Sequence, residues 1–283
     1  MQKIGIIGQG FVGNAVRMGM EHVFNVLTYD KNPDKYSNVD LVEEIIKQVD
    51  VIFLCVPTPM RRSGECDLTI IKNALDEINQ YCISINKQII IVIKSTIPPG
   101  TTDYLDSEYS HCNIVFNPEF LTEANSIEDY KNQNRIIIGG KRPYTSIVRR
   151  IFVKAFPKVP IIKTSATIAE TIKYVTNIFL ATKVSFANEI FQICEALDID
   201  YDKVIEYAKY DVRLGQTHWD VPGPDGDFGY GGHCFPKDIA ALKTLMNSLD
   251  VDSTIIDAVI KKNNIVRTDR DWEKQIGRAV SED

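Results

Sequence analysis

The chain has 283 residues, 44% hydrophobic and 25% charged, enough to bury one large core or two ordinary ones and too apolar for a disordered polymer. Lys and Arg number 32 against 38 Asp and Glu, and the net charge of −6 argues against a partner recognised through a phosphate backbone. No apolar run approaches the ~20 residues of a membrane helix, the N-terminus lacks a signal-peptide layout, and the six cysteines are scattered without a CxxC pair; a cytoplasmic protein with free thiols and no metal is expected.

Along the first half, β-branched runs alternate with helix-length spacers. Strands are predicted at 3–7, 25–29, 51–56, 88–94, 113–116 and 135–138. Runs such as Ile89 to Ile93 are apolar on both faces, which suits a parallel sheet covered by helices on each side. Asp67 is a plausible N-cap for a helix over 68–81. The pattern then changes. Residues 166–197 contain no glycine or proline and carry Ile168, Ile172, Val175 and Phe179 at helical spacing, so one long helix is predicted. Further helices are expected at 201–210, 236–248 and 253–266, around a Gly/Pro-rich loop over 215–232. The expected fold is α/β: a Rossmann-type doubly wound parallel sheet over 1–165, then an all-helical domain over 166–283 entered through a long connecting helix.

Gly8-Gln9-Gly10-Phe11-Val12-Gly13 follows the first strand directly and opens into a helix. In that context Gly8 permits the turn, Gly10 lets the backbone approach a pyrophosphate, and Gly13 lets the helix pack on the strand. The helix N-terminus offers unpaired N–H groups to the phosphates. Asp30, 22 residues after Gly8 at the end of the second strand, stands where an acid accepts hydrogen bonds from the adenosine ribose. These residues point to NAD, with a 2′-phosphate repelled; a purely structural glycine turn is the alternative.

The run Gly229-Tyr230-Gly231-Gly232-His233-Cys234-Phe235-Pro236-Lys237-Asp238 places Cys234 at a helix N-terminus with Lys237 one turn on. Both features favour the thiolate, so Cys234 reads as a nucleophile rather than a small core residue. Lys173 and Asn177, at i and i+4, share a helical face and could serve one oxyanion or form a solvated face. Glu119 reads equally as a base or a turn carboxylate after Asn117-Pro118, and Asp238 as a first-turn helix acid.

The chain resembles the UDP-glucose/GDP-mannose dehydrogenase family. The resemblance rests on the Cys234 loop with Val56-Pro57-Thr58-Pro59, Lys94-Ser95-Thr96-Ile97-Pro98-Pro99-Gly100-Thr101, Asn117-Pro118-Glu119-Phe120-Leu121-Thr122-Glu123, Lys173 with Asn177, and Asp211-Val212-Arg213-Leu214-Gly215, in the family's order. It implies a four-electron oxidation of a nucleotide sugar's C6 alcohol to a carboxylate with two NAD, UDP-glucose to UDP-glucuronate first. By the match, Cys234 forms the thiohemiacetal and thioester, Glu119 is the hydrolytic base, Lys173 and Asn177 stabilise the oxyanion, and Asp238 orients a water and a lysine. Thr96 serves the catalytic centre and the nicotinamide; Pro57, Thr58, Glu123 and Lys237 join the cofactor set with Gly8, Gly10, Phe11, Val12, Gly13 and Asp30. Phe120, Leu121, Phe228, Tyr230, Gly231 and Gly232 would line the substrate, with Glu119, Lys173 and Asn177.

Arg213 would reach the site of a neighbouring subunit, so a homodimer is implied, with neither nucleic acid nor membrane as partner. Relatives carry a third, nucleotide-binding domain, for which 268–283 leaves no room. GDP-mannose or UDP-N-acetylmannosamine are alternative substrates. A two-electron β-hydroxyacid dehydrogenase and a non-catalytic NAD- or nucleotide-sugar-binding protein are alternative functions.

Overall fold

The computed structural model describes residues 2–282. Among these the chain forms seven strands, β1 Lys3–Ile7, β2 Asn25–Tyr29, β3 Val51–Leu54, β4 Ile89–Ile93, β5 Cys112–Phe116, β6 Ile136–Gly140 and β7 Ile161–Thr164. The α-helices are α1 Phe11–Met20, α2 Val42–Gln48, α3 Thr69–Ser84, α4 Thr101–Glu108, α5 Ser126–Lys131, α6 Tyr144–Ala155, α7 Ala166–Leu197, α8 Tyr201–Ala208, α9 Phe235–Ser248 and α10 Thr254–Val266. By its contacts the chain divides into two compact units. One ends at Thr58 and resumes over Leu68–Lys173; the other takes Pro59–Asp67 and everything from Tyr174 onward. The division at the C-terminal side falls inside α7, between Lys173 and Tyr174.

The first unit is a seven-stranded sheet in the order β2-β1-β3-β4-β5-β6-β7. Successive strand residues point to opposite faces, and both faces are dry. Ile52 and Leu54 of β3 and Ile89, Ile91 and Ile93 of β4 join one core with Ile45, Leu75 and Leu105 from α2, α3 and α4. Val51, Phe53, Ile90 and Val92 join the other with Val16, Tyr130 and Phe152 from α1, α5 and α6.

Two features depart from the expected all-parallel sheet. β6 pairs antiparallel to β5, through Val115 with Gly140 and Phe116 with Gly139. An Ile-rich run reads the same in either direction, so the sequence pattern carries no polarity. β7, parallel to β6, was not foreseen, because an edge strand with exposed Ile162 and Lys163 lacks a buried apolar run. The expected helix over 68–81 begins at Thr69, with Leu68 rather than Asp67 in the N-cap position, and runs on to Ser84.

The second unit is helical. Tyr174, Ile178 and Ala181 of α7 pack with Tyr230, Ile239, Ile256 and Val259. Further along α7, Ala187 and Cys194 pack with Tyr201, Ile205, Trp219 and Val221. The loop from Gly215 to Gly232 thus sends side chains into both small cores without forming regular structure of its own.

Candidate functional site

In the first unit the glycine-rich turn leaves the C-terminal end of β1. Gly8 has φ +91°, and its N–H donates to the Tyr29 carbonyl at 2.9 Å. A Cβ on Gly8 would stand 2.6 Å from the Cys55 carbonyl oxygen, and one on Gly13 only 1.8 Å from that of Gly8. Both positions therefore exclude any side chain. Gly10, the N-cap of α1, has nothing within 4 Å of the Cβ it lacks, so the approach to the helix N-terminus is open. Phe11 and Val12 open α1, and Val12 packs on the core behind it. Asp30 lies just beyond β2, where its Oδ2 accepts from the Gln9 N–H at 2.5 Å and its Oδ1 from Asn32 N–H at 2.8 Å. A carboxylate held against the turn, with an open helix end beside it, fits a dinucleotide whose ribose hydroxyls donate to the acid.

Four further segments meet at the ends of β3, β4 and β5. Thr58 Oγ donates to the Thr96 carbonyl at 2.8 Å, and Ser95 Oγ to the Val56 carbonyl, which ties the Pro57 segment to the Thr96 segment. Glu119 is buried, and Lys173 Nζ donates to its Oε1 and its carbonyl oxygen, both at 2.8 Å. The Leu121 N–H donates to Glu119 Oε2 at 2.7 Å. Burial alone would raise the Glu119 pKa, but the charge and hydrogen bond of Lys173, the Leu121 N–H and the charge of Lys94 outweigh it and hold the group below its ordinary value. Phe120 lies under two cations, Arg135 at 4.1 Å and Lys173 at 5.7 Å from its ring centre. Leu121 is half-buried, and Glu123 is exposed between β5 and α5.

Two buried charges lie here to which the sequence pattern assigns no role. Glu170 is fully buried one turn before Lys173, and its carboxylate accepts from Gly100 N–H, Thr102 N–H and Thr102 Oγ at 2.6, 2.7 and 2.5 Å. It caps α4 from another helix. Lys94 is likewise buried and donates to Asn117 Oδ1 at 2.7 Å.

In the second unit Cys234 is the N-cap of α9, and Pro236 occupies the first turn. Lys237 Nζ stands 2.5 Å from Asp238 Oδ1, and Asn177 Nδ2 donates to Asp238 Oδ2 at 2.6 Å. Burial would lower the Lys237 pKa, yet the charges of Asp238, Cys234 and Cys66 prevail and raise it, so the ammonium persists beside the thiol. Lys173 and Asn177, neighbours on α7, are thus each engaged by a different carboxylate.

The loop before Cys234 is held by residues for which the sequence offered no signal. Asn263 accepts from Tyr230 N–H at 2.7 Å and donates to the Tyr230 carbonyl at 3.0 Å. Arg267, with a side chain only 3% exposed, reaches Asp225 at 2.7 Å, Asp271 at 3.0 Å and the Asp269 carbonyl at 2.8 Å. Asp271 in turn accepts from Gly232 N–H at 2.9 Å. A Cβ on Gly231 would stand 2.2 Å from Arg267 Nη2, so that glycine is fixed by the guanidinium. Phe228 stacks obliquely on Phe191 at 5.5 Å. Arg213 is highly exposed and, among the described residues, pairs with neighbouring Asp211. Among the described residues no group of three metal-ligating side chains occurs, and no helix is long and apolar enough to cross a membrane.

Residues 35–156 match the NAD binding domain of the UDP-glucose/GDP-mannose dehydrogenase family, and residues 167–265 match its central domain. The chain is 38% identical over 226 residues to a UDP-glucose 6-dehydrogenase of Rickettsia bellii, an alignment covering 78% of this chain and 50% of that protein. It is 34% identical over 300 residues to the UDP-glucose 6-dehydrogenase TuaD of Bacillus subtilis, covering 93% and 63% respectively. The chain therefore spans between half and two thirds of these curated relatives. A solved UDP-glucose dehydrogenase from Pyrobaculum islandicum superposes with a TM-score of 0.85 at 28% identity, covering 94% of this chain and 68% of that one. Two adjoining family matches, in order and over most of its length, place the chain in the UDP-glucose/GDP-mannose dehydrogenase family.

Proposed function

We propose that the chain catalyses the NAD-dependent oxidation of a nucleotide sugar's C6 alcohol to the carboxylate, with UDP-glucose as substrate and UDP-glucuronate as product. The observation that carries this reading is Cys234 at the N-cap of α9, next to the buried Lys237–Asp238 pair, in a chain of this family. The Gly8–Gly13 turn and Asp30, with Pro57, Thr58, Thr96, Glu123 and Lys237, would hold NAD, which would supply the hydride acceptor for each of two oxidations. Overall, R–CH2OH, two NAD+ and one water give R–COO−, two NADH and three protons.

Cys234 serves as the covalent tether. Its thiolate adds to the aldehyde as a thiohemiacetal; loss of a hydride gives the thioester, and water releases the acid. Lys173 and Asn177 stabilise the oxygen that gathers charge, and Asp238 orients water and Lys237. Glu119, kept ionised by Lys173, takes the proton of the hydrolytic water. Phe120, Leu121, Phe228, Tyr230, Gly231 and Gly232 line the sugar and nucleotide. The first of the two expected domains carries the cofactor and the second the nucleophile.

Homodimerisation through α7 is supported by its exposed stripe. Ile168, Val175, Phe179, Phe186, Ile193 and Leu197 recur at steps of seven and four and are each at least half exposed, the spacing of a helix seam awaiting a second helix. Arg213, exposed, would reach the neighbouring subunit's substrate. The cytoplasm is the compartment in which such a thiol stays reduced.

Stoichiometry tests the reading. Incubation with UDP-glucose and NAD is expected to give two NADH per sugar acid, and Cys234→Ser to stop acid formation. One NADH per turnover with an indifferent Cys234→Ser variant would overturn it.

A further inference from the structure

A cleft of about 300 Å3 in the first unit is lined by Lys94, Glu119 and Tyr130, with exposed Asn132 and Asn134 at its rim. These three residues line it from inside the protein, and two of them carry incompletely satisfied polar atoms. Tyr130 is 1% exposed, and its hydroxyl has no hydrogen-bond partner among the described residues. A buried phenol ordinarily finds one. Lys94 is 3% exposed, and of the three donors on an ammonium only one is committed, to Asn117. Glu119 already holds Lys173 directly, so Lys94 is a second cation beside a paired carboxylate rather than its necessary counter-ion. A cleft of that volume accommodates several waters at ~30 Å3 each, and its polar lining supplies partners for them.

We propose that Lys94 and the Tyr130 hydroxyl, through water in this cleft, form the route by which Glu119 exchanges its proton with solvent. This rests on Glu119 being the hydrolytic base. As water attacks the thioester carbonyl it loses one proton to Glu119, a C–O bond forms, and the C–S bond breaks to leave the Cys234 thiolate. Glu119 must shed that proton before the next turnover. Cleft water, held by Tyr130, carries it to the neutral amine of Lys94, which releases it to water at the rim. The chemistry asks for an amine that is neutral part of the time. Burial supplies one by pushing the Lys94 pKa down to about 8, against opposing contributions from Cys55 and Glu119. Lys94 and Tyr130 act through Glu119 and are positioning residues, outside contact with substrate.

The test has two arms. In the full chain labelled with 15N-lysine, one side-chain ammonium signal, identified by its loss in Lys94→Met, is expected to titrate more than one pH unit below the other lysines. Its midpoint is expected to move in Tyr130→Phe, which removes only a hydroxyl, and in Glu119→Gln. An ordinary midpoint, or one indifferent to both variants, overturns the proposal. In the second arm, rapid-quench mass spectrometry follows the Cys234 thioester. Tyr130→Phe is expected to slow thioester hydrolysis about tenfold in turnovers after the first, most strongly near and above pH 8 where the Lys94 amine is neutral, while the first burst of NADH is unchanged. Unchanged hydrolysis in an active enzyme also overturns it. If the wild-type chain yields no NADH from any nucleotide sugar, the proposed activity fails instead, and the titration alone judges the proton route.

Discussion

In the sheet-bearing unit the segments that carry Lys94, Asn117 and Glu119 leave strand ends and are fixed by what lies beneath them; in the helical unit the segment that leads to Cys234 is a loop fixed by what surrounds it. Lys94 and Asn117 directly extend β4 and β5, and their backbone N–H groups still donate into the sheet, to Leu54 and Ile93. Two dry cores hold those strands in place. The loop from Gly215 to Gly232 extends no strand, and only a few of its side chains, Trp219, Val221 and Tyr230 among them, enter the small helical cores. Its chief polar fastening is one buried guanidinium, that of Arg267, with Asp225, Asp227 and Asp271 around it. Apolar packing is spread over many residues and tolerates single changes, whereas a charge cluster concentrates the same constraint in one residue.

That contrast can be broken at its strongest point. Arg267→Ala leaves three carboxylates around an empty place and is expected to cost about 3 kcal/mol in urea unfolding. The same variant should bring Cys234 modification by a thiol reagent closer to that of an unfolded loop. A loss under about 0.5 kcal/mol would show that the loop is held by its apolar contacts after all.

Among the buried charges of the sheet unit, Glu170 has a comparable standing, since it holds backbone donors at a helix end. Glu170→Gln presents an amide N–H2 to a helix end that already offers donors, and a loss of about 2 kcal/mol is expected. A Glu170→Gln effect larger than that of Arg267→Ala would erase the distinction between the units.

A smaller effect concerns the cofactor. Asp30→Ala removes the acid that faces the ribose, and isothermal titration is expected to show NAD binding weakened about tenfold, with discrimination against NADP reduced. Equal affinity in both proteins would separate Asp30 from the cofactor.

The least costly test uses acid. Burial opposes ionisation of Asp227, yet the Asp269, Phe228 and Thr268 hydrogen bonds bring its pKa down to about 2. A depressed carboxylate contributes stability above its unfolded pKa, and that contribution fades as pH falls toward the folded value. Between pH 4 and 2 the loop should therefore loosen, and Asp227→Asn should abolish that pH dependence while leaving the spectrum of the sheet unit unchanged. Circular dichroism and thiol reactivity across this range provide the check.

Much of the frame was readable in advance. The strands announced themselves because a run such as Ile89 to Ile93 can be nothing but doubly buried, and Gly13 because no other residue tolerates a carbonyl at 1.8 Å. The long helix followed from 32 residues without a breaker. Strand direction was not readable, since hydrophobicity has period but no sense, and β6 turned antiparallel. Glu170, Lys94, Asn263 and Arg267 were not readable for another reason. Each is a polar residue whose burial depends on a partner at a different place in the chain, Glu170 with Thr102 and Asn263 with Tyr230. Sequence spacing reports neighbours along a helix or strand and says nothing of such distant pairings.

The anchoring of Gly232 to Asp271 bears on where this protein can be cut. The match to the family's central domain ends at residue 265, and a truncation designed on that boundary would keep Cys234 while discarding Arg267 and Asp271. Such a fragment would retain every residue named for chemistry and lose the clasp on the loop that presents the thiol. For this chain, the smallest piece that keeps the Cys234 loop fastened is set by an ionic contact beyond α10, several residues past the place where that helix ends.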